Sequence, residues 1–190
     1  MGAVYEVRHL RLGKRFAMKI IRQALTREPE FAARFEQEAL SCSRLSHPNC
    51  IAVTDFGQTA DDRPFMVMEH LHGENLHDLL RRKGRLPQES AIAITLQICD
   101  ALGAAHIRGV IHRDVKPSNI ILKPLSRPDS HEQQPFRAIL TDFGLVKLLE
   151  GDSMTQSGTT LGTPTYMSPE QCEGLMLDGR SDLYSLGVVL

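Results

Sequence analysis

Residues 112–119 read His-Arg-Asp-Val-Lys-Pro-Ser-Asn, which places a carboxylate, an ammonium group and an amide close together in one short stretch. The stretch follows the apolar pair Val110-Ile111, so it begins where an apolar segment ends. The tetrapeptide Thr-Asp-Phe-Gly occurs twice, at residues 54–57 and at residues 141–144. The aspartate of the second copy lies 23 residues after Asn119, and this spacing makes the second copy the candidate partner of residues 112–119.

These two stretches resemble the catalytic loop and the Asp-Phe-Gly motif of the eukaryotic-like protein kinase family. In that family the loop aspartate accepts the proton of a substrate hydroxyl, and the asparagine binds a metal ion together with the Asp-Phe-Gly aspartate. The resemblance implies Asp114 as the base, and Asn119 and Asp142 as ligands of Mg²⁺, with Mn²⁺ as a substitute. Lys116 resembles the loop of serine/threonine kinases, where an ammonium group neutralises the transferring phosphoryl group.

The first Thr-Asp-Phe-Gly copy has a different context. It follows His47-Pro48 and precedes the strand that resembles the family's hinge, so it falls in the small first lobe. We therefore predict that Asp55 is a turn residue at the end of a strand, without a metal partner nearby, and that Asp142 is the metal ligand.

Two further residues match the ATP-binding ion pair of the family. Ala17-Met18-Lys19 resembles the strand that presents the ATP-binding lysine, so Lys19 would neutralise charge on the α- and β-phosphates. Glu38 resembles the carboxylate partner of that lysine. Glu36 is the alternative, but Ala39 and the apolar stripe of the predicted helix favour Glu38 on the inward face.

The adenine pocket is also implied by the resemblance. Residues 66–71 resemble the hinge between the lobes, whose backbone at Glu69 and Leu71 would hydrogen-bond adenine. The side chain of Met68 would limit access to the pocket behind the hinge. The other nucleotide-binding residues that the resemblance implies are Val4, Ala17 and Ile121.

The apolar patterns predict a sheet-rich lobe followed by a mainly helical lobe, and the resemblance implies an α+β, two-lobed, protein-kinase-like fold with both lobes incomplete. Residues 1–70 read as a small antiparallel sheet with one main helix, which begins at Pro29 and ends before His47-Pro48. Residues 71–190 read as a mainly helical lobe, with a polar surface loop at residues 123–137. One helical stripe in this lobe is predicted to be core; it comprises Ile92, Leu96, Cys99 and Leu102.

Residues 162–170 resemble the end of the family's activation segment, with Ser168 where the family more often has Ala. Arg113 lies directly before the proposed base. In this family an arginine at that position accompanies control by phosphorylation of the activation segment. The candidate phosphorylation sites are Thr155, Ser157, Thr159 and Thr160. Asp182 resembles the buried aspartate that braces the catalytic loop from below.

Composition excludes several other classes of function. Lys and Arg together number 22 against 23 Asp and Glu, a formal net charge of −1, so we expect neither nucleic acid nor an anionic membrane as partner. The four cysteines form no CxxC pair, which argues against structural zinc and favours a reducing compartment. No apolar run approaches the roughly 20 residues of a membrane span, so we expect a soluble, cytoplasmic segment.

The function expected from this resemblance is ATP-dependent phosphorylation of serine or threonine in protein substrates, with a second kinase copy as partner in autophosphorylation. A pseudokinase or interaction scaffold remains open, because Met1–Tyr5 matches only the end of the family's glycine-rich loop. A small-molecule kinase of related fold is disfavoured by residues 162–170, which resemble the protein-substrate platform. We also expect the 190 residues alone to fold poorly and to phosphorylate little.

Overall fold

The computed structural model describes residues 2–21, 29–125, 135–143 and 164–190, and its first part is built on a four-stranded antiparallel sheet. The strand order is β1-β2-β4-β3, with β1 at Ala3–Arg8, β2 at Arg15–Ile20, β3 at Val53–Gln58 and β4 at Pro64–Glu69. The turn between β1 and β2 contains Gly13 at a φ of 65°, a left-handed conformation that glycine adopts without steric cost.

Helix α1, at Pro29–Ser43, packs against β3 and β4. Its inward side carries Phe35, Ala39 and Cys42, all buried, at the helical spacing that the sequence predicted. The helix ends before His47-Pro48, as predicted from the conformational restriction that a proline imposes on the residue before it.

The second part combines a small sheet with helices. The sheet has the order β5-β6-β7, with β5 at Glu74–Asn75, β6 at Ile120–Pro124 and β7 at Phe136–Leu140. The helices are α2 at Leu76–Lys83, α3 at Gln88–His106, α4 at Pro169–Glu173 and α5 at Gly179–Val189. The predicted α+β arrangement in two lobes is confirmed, and none of the helices in the described ranges is long and apolar enough to cross a membrane.

The prediction for the apolar stripe of α3 is wrong for Ile92, Leu96 and Cys99, and is confirmed for Leu102, which is fully buried. Ile92 and Leu96 are 46% and 61% exposed, and Cys99 is exposed as well. The buried face instead carries Ile94, Ile98, Ala101, Leu102 and Ala105, and α3 packs against β7 and α5. Apolar residues occur around most of this helix, so periodicity alone cannot select the face that the neighbouring elements cover.

Two smaller predictions also need correction. Asp55 lies inside β3, beside a register shift between Val53 and Asp55, and not in a turn at the end of the strand. The predicted loop at 123–137 is shorter at both ends, because Lys123 pairs with Arg137 and continues the ladder between β6 and β7. In both places polar residues led to the prediction of a turn or loop. Polar residues can nevertheless adopt the strand conformation when a neighbouring strand pairs with them.

The first lobe is attached to β7 by a backbone ladder. Ile51 N donates to Leu140 O at 2.9 Å, and Leu140 N donates to Asn49 O at 2.8 Å. The side chain of Asn49 adds a bond from its Nδ2 to Ala138 O at 2.8 Å. This attachment fixes the end of β7, and therefore the residues that follow it, relative to the sheet that carries Lys19.

Candidate active site

The loop at residues 112–119 is built around a buried histidine. His112 Nδ1 accepts from Asp114 N at 3.2 Å, and His112 Nε2 lies 2.9 Å from Thr141 O. Burial lowers the pKa of His112 below its ordinary value, and the Asp182 carboxylate opposes that shift only in part. A neutral imidazole that donates from Nε2 and accepts at Nδ1 satisfies both contacts, so His112 joins the loop to the residue before Asp142.

Asp182 lies beneath this loop, where the sequence predicted a brace. Its side chain is 1% exposed; Oδ1 accepts from Arg113 N at 2.7 Å and Oδ2 accepts from His112 N at 2.8 Å. His106 Nε2 is 2.7 Å from the same Oδ2. Gly179 makes room for that ring, because a Cβ there would lie 2.6 Å from His106 Nδ1. The carboxylate therefore fixes two consecutive backbone amides of the loop.

The three predicted catalytic residues are in mutual contact. Lys116 Nζ lies 2.8 Å from Asp114 Oδ2, with both side chains about 85% shielded from solvent. Asn119 Nδ2 donates to Asp114 O at 2.8 Å and to Asp114 Oδ2 at 3.1 Å. Arg113 has a φ of 65°, so the chain turns sharply directly before Asp114. The loop thus presents a carboxylate that is flanked by a cation and an amide.

The second Thr-Asp-Phe-Gly copy is bonded directly to this loop. Thr141 N and Thr141 Oγ1 both donate to Asn119 O, at 2.9 and 3.1 Å. Phe143 is buried, and the centroid of its ring lies 4.7 Å from that of His112. Asp142, between them, accepts from Lys19 Nζ at 2.8 Å through Oδ1. This contact joins the two lobes at the position predicted for the metal ligand.

The donor atoms near Asp142 fit a hard divalent cation. Asn119 directs its amide nitrogen at Asp114, which leaves its amide oxygen as the atom that could bind a cation. Asp142 supplies a carboxylate. In the part of the chain that the structure describes, no group of three or more His, Cys, Asp or Glu residues could hold a metal ion. Mg²⁺ is commonly held in this way, by one or two side chains together with substrate phosphates.

The expected Lys19–Glu38 ion pair is absent among the described residues, where Lys19 is paired with Asp142. Glu38 is half-buried and Glu36 is exposed, which agrees with the predicted inward face. Burial raises the pKa of Glu38, and the charge of Arg113 opposes this shift in part. The sequence pattern identified the inward carboxylate, but it did not determine which cation α1 brings near to it.

Several predicted nucleotide-binding residues share one face of the first sheet. Val4 is paired with Lys19 between β1 and β2, and Ala17 with Met68 between β2 and β4. Directly opposed residues of antiparallel strands project to the same side, and side chains two positions apart do so as well. Met68 is buried, whereas Val4 is 60% exposed. The face that carries Lys19 therefore also carries Val4, Ala17 and Met68.

The remaining predicted contacts lie in the connection between the lobes and on β6. Glu69 N donates to Ala52 O at 3.0 Å, so its carbonyl is the backbone group left as a candidate for adenine. Leu71 packs partly against the core, and Ile121 is half-buried on β6. Their contact with adenine stays a prediction. The phosphorylation candidates Thr155, Ser157, Thr159 and Thr160 lie outside the described residues, as do Gly144 and residues 162–163.

Sequence reasoning missed two residues that hold this loop. Gln171 in α4 donates from Nε2 to Arg113 O at 2.8 Å, and His106 contacts Asp182. The pattern from Ser168 to Gln171 is a helix-start signal, which accounts for the helix but not for the bond to the loop. No comparable pattern points to His106.

A family model described as the protein kinase domain matches residues 1–190. The chain belongs to the protein kinase domain family. The motif order, the contacts of Asp114 and the position of Asp142 agree with this membership.

Three bacterial proteins illustrate what this chain is similar to. Serine/threonine-protein kinase pkn3 of Myxococcus xanthus is 42% identical over 194 residues, which cover 100% of this chain and 34% of pkn3. PknB of Mycobacterium leprae is 38% identical and covers 100% of this chain, which spans 30% of PknB. The chain thus spans about a third of the length of these curated relatives. The crystal structure of the Mycobacterium tuberculosis PknI kinase domain has a TM-score of 0.75 at 29% identity, covering 98% of this chain and 66% of that chain.

Proposed function

We propose that the protein containing this chain is a cytoplasmic kinase that transfers the γ-phosphoryl group of ATP to serine and threonine hydroxyls of protein substrates. Residues 1–70 form the lobe that binds the nucleotide, and residues 71–190 the lobe that binds the acceptor. The observation that carries the proposal is the connected set of contacts from Lys116 through Asp114 and Asn119 to Thr141, with Asp142 next in the chain and bonded to Lys19.

Each side chain has a role in the proposed transfer. Asp114 accepts the proton of the acceptor hydroxyl as that oxygen attacks, and Lys116 neutralises charge on the transferring phosphoryl group. Lys19 binds the α- and β-phosphates, and Asn119 and Asp142 would hold the divalent cation. Magnesium, when bound, supplies charge neutralisation for the phosphates. Transfer then depends on positioning and electrostatic stabilisation, since the protein forms no covalent bond to the phosphoryl group.

Serine and threonine are favoured as acceptors over tyrosine on two grounds. Lys116 lies two residues after the proposed base, as in the serine/threonine form of the loop, and contacts it at 2.8 Å. The relatives described above carry the name serine/threonine-protein kinase.

Activation-segment phosphorylation is part of the proposal. A phosphate on Thr155, Ser157, Thr159 or Thr160 would form charge-assisted hydrogen bonds with Arg113 and order the segment. Autophosphorylation between two copies would supply that phosphate. Mass spectrometry of active complete protein is expected to find phosphate on one of these four residues, and its absence from all of them would rule this regulation out.

The alternative function is a scaffold with a kinase fold that does not transfer phosphate. The observation that favours it is the pairing of Lys19 with Asp142 in place of Glu38, because transfer by protein kinases requires the lysine–glutamate pair. In the proposed enzyme, Glu38 pairs with Lys19 in the active conformation.

Asp114→Asn in the complete protein separates the two functions. Phosphate transfer from ATP to casein and to the protein itself is measured beside ATP binding. If the protein is a kinase, Asp114→Asn should lower phosphate transfer by on the order of 10³-fold and retain the affinity for ATP, because only the proton acceptor is lost. Transfer that is equal in wild type and variant would contradict the kinase proposal.

A further inference from the structure

We propose that Gln171 is a positioning residue that holds the peptide bond before Asp114 in the orientation needed for phosphoryl transfer. The inference rests on the proposed kinase function and adds a residue to its machinery. Gln171 acts through the backbone of Arg113 and does not itself touch the reacting groups.

Both ends of that peptide group are bonded. Its carbonyl, Arg113 O, accepts from Gln171 Nε2 at 2.8 Å, and its amide, Asp114 N, donates to His112 Nδ1 at 3.2 Å. The orientation of a planar peptide fixes the direction from which the next side chain leaves the backbone. The two bonds therefore constrain where the Asp114 carboxylate points.

The backbone at this position needs external support. Arg113 has a φ of 65°, in the left-handed region that a side chain with a Cβ rarely occupies. Such a conformation persists only where the surroundings hold it, and such sites cluster where function depends on them. Asp182 Oδ1 bonds the amide of Arg113 at 2.7 Å, and Gln171 bonds its carbonyl. The strained residue is thus held from α5 on one side and from α4 on the other.

The positioning role requires the amide of glutamine at residue 171, whereas helix capping does not. Gln171 Oε1 accepts from Ser168 N at 3.1 Å, and Ser168 Oγ accepts from Gln171 N at 3.4 Å, which together form a capping box. Glutamate serves equally well at this position of a capping box. Only the amide also offers a donor, and that donor is the atom that reaches Arg113.

The bridge also connects two parts of the proposed mechanism. Helix α4 directly follows residues 162–168, which resemble the end of the activation segment and the platform for the protein substrate. A displacement of α4 would move Gln171 Nε2 and release Arg113 O. The orientation of the base is therefore coupled to the position of the platform.

Two substitutions in the complete protein test the inference. Gln171→Glu keeps the acceptor for Ser168 N but replaces the donor with an oxygen that faces Arg113 O. Ser168→Ala removes the capping hydroxyl and keeps the donor, and alanine is the residue more common in the family. Phosphate transfer to casein is measured as kcat and as KM for ATP, at a temperature well below the Tm of every variant.

Gln171→Glu is expected to lower kcat by about 10- to 100-fold, the loss that misplacement of a catalytic group by about 1 Å can cause. The KM for ATP is expected to stay within about twofold, because Lys19, Asp142 and the hinge are untouched. Ser168→Ala is expected to lower the Tm and to reduce kcat clearly less than Gln171→Glu does, because it keeps the donor to Arg113 O. Gln171→Met, of similar length without charge, is the second variant and is expected to show the same loss of kcat.

The outcomes distinguish failure of this inference from failure of the proposed function. If wild type transfers no more phosphate than Asp114→Asn, the kinase proposal fails. If wild type is active and both Gln171 variants keep its kcat, the positioning role is wrong while the kinase proposal stands. If Ser168→Ala loses as much kcat as Gln171→Glu, the effect belongs to the helix cap and the positioning role is again wrong.

Discussion

The tetrapeptide Thr-Asp-Phe-Gly occurs in both lobes, and its two copies have opposite surroundings. In the first copy Asp55 is exposed on β3, and its Oδ1 accepts only from the adjacent Phe56 N, at 2.9 Å, among the described hydrogen bonds. In the second copy Asp142 follows β7 in a left-handed conformation, with a φ of 58°, and is paired with Lys19. Four identical residues therefore have different electrostatic environments.

The difference shows that the surrounding structure, and not the tetrapeptide itself, decides which contacts an Asp-Phe-Gly motif makes. The threonine of the second copy is buried and bonded to Asn119 O, whereas Thr54 is exposed on the edge strand β3 and bonds Val67 O at 3.2 Å. Asp142 is paired with Lys19, whose side chain is 16% exposed, whereas water screens the interactions of the exposed Asp55. Matched substitutions in the two copies can test each of these contrasts.

The largest expected effect comes from the two aspartates. Asp142→Asn should lower kcat for phosphate transfer by on the order of 10³-fold, because it removes the carboxylate proposed to hold the cation beside the phosphates. Asp55→Asn should leave kcat within about twofold of wild type, since an exposed substitution away from the site has little effect. Steady-state transfer from ATP to casein by the complete protein measures both. Equal losses of kcat in the two variants would contradict the proposal that only the second copy binds the cation.

A smaller effect is expected from the two threonines. Thr141→Val removes the buried bond to Asn119 O and should lower the free energy of unfolding by about 1 kcal/mol. Thr54→Val removes an exposed bond in a strand and should change it by less than about 0.5 kcal/mol. Urea denaturation of the complete protein provides the measurement. A greater loss at Thr54 would show that burial does not separate the two copies.

The smallest expected effect concerns Glu38, which is the proposed partner of Lys19 in the active enzyme. Burial raises its pKa above the ordinary 4.5, so the folded state binds more protons at this site than the unfolded state. The stability that this difference provides is complete below pH 4.5 and is lost as the pH rises through the raised pKa. Glu38→Gln should therefore gain in Tm relative to wild type between pH 4.5 and pH 7.

Glu36→Gln, at the exposed alternative position, controls for the loss of one negative charge. Thermal unfolding of the three proteins at both pH values measures the effect. A constant difference in Tm between Glu38→Gln and wild type across this range would contradict the assigned burial cost.

Part of the site could be predicted because its residues are adjacent in sequence. Asp114, Lys116 and Asn119 lie within one loop, so their spacing already limits them to a small volume. Lys19 was identified because Ala17-Met18-Lys19 resembles the lysine strand of the family, and the register of the sheet places Val4 and Ala17 on the same face as Lys19.

The failures involve choices between neighbours that are distant in sequence. The apolar residues of α3 allow more than one buried face, and packing against β7 and α5 selected the one that contains Ile98. Glu38 was placed on the correct side of α1, but its nearest cation depends on where the helix sits. Gln171 reaches Arg113 across 58 residues of sequence, and no local pattern encodes such a contact.

The sequence by itself determined the family, the order of the lobes and the loop that contains Asp114, and it predicts Asp142 over Asp55 as the metal ligand. Those features rest on local spacing and on hydrophobic period, which short stretches of chain carry in full. Only the tertiary structure decided the partner of Lys19, the covered face of α3 and the bond from Gln171 to Arg113. Each of these depends on the relative position of separate elements, which is set by the packing of many side chains at once.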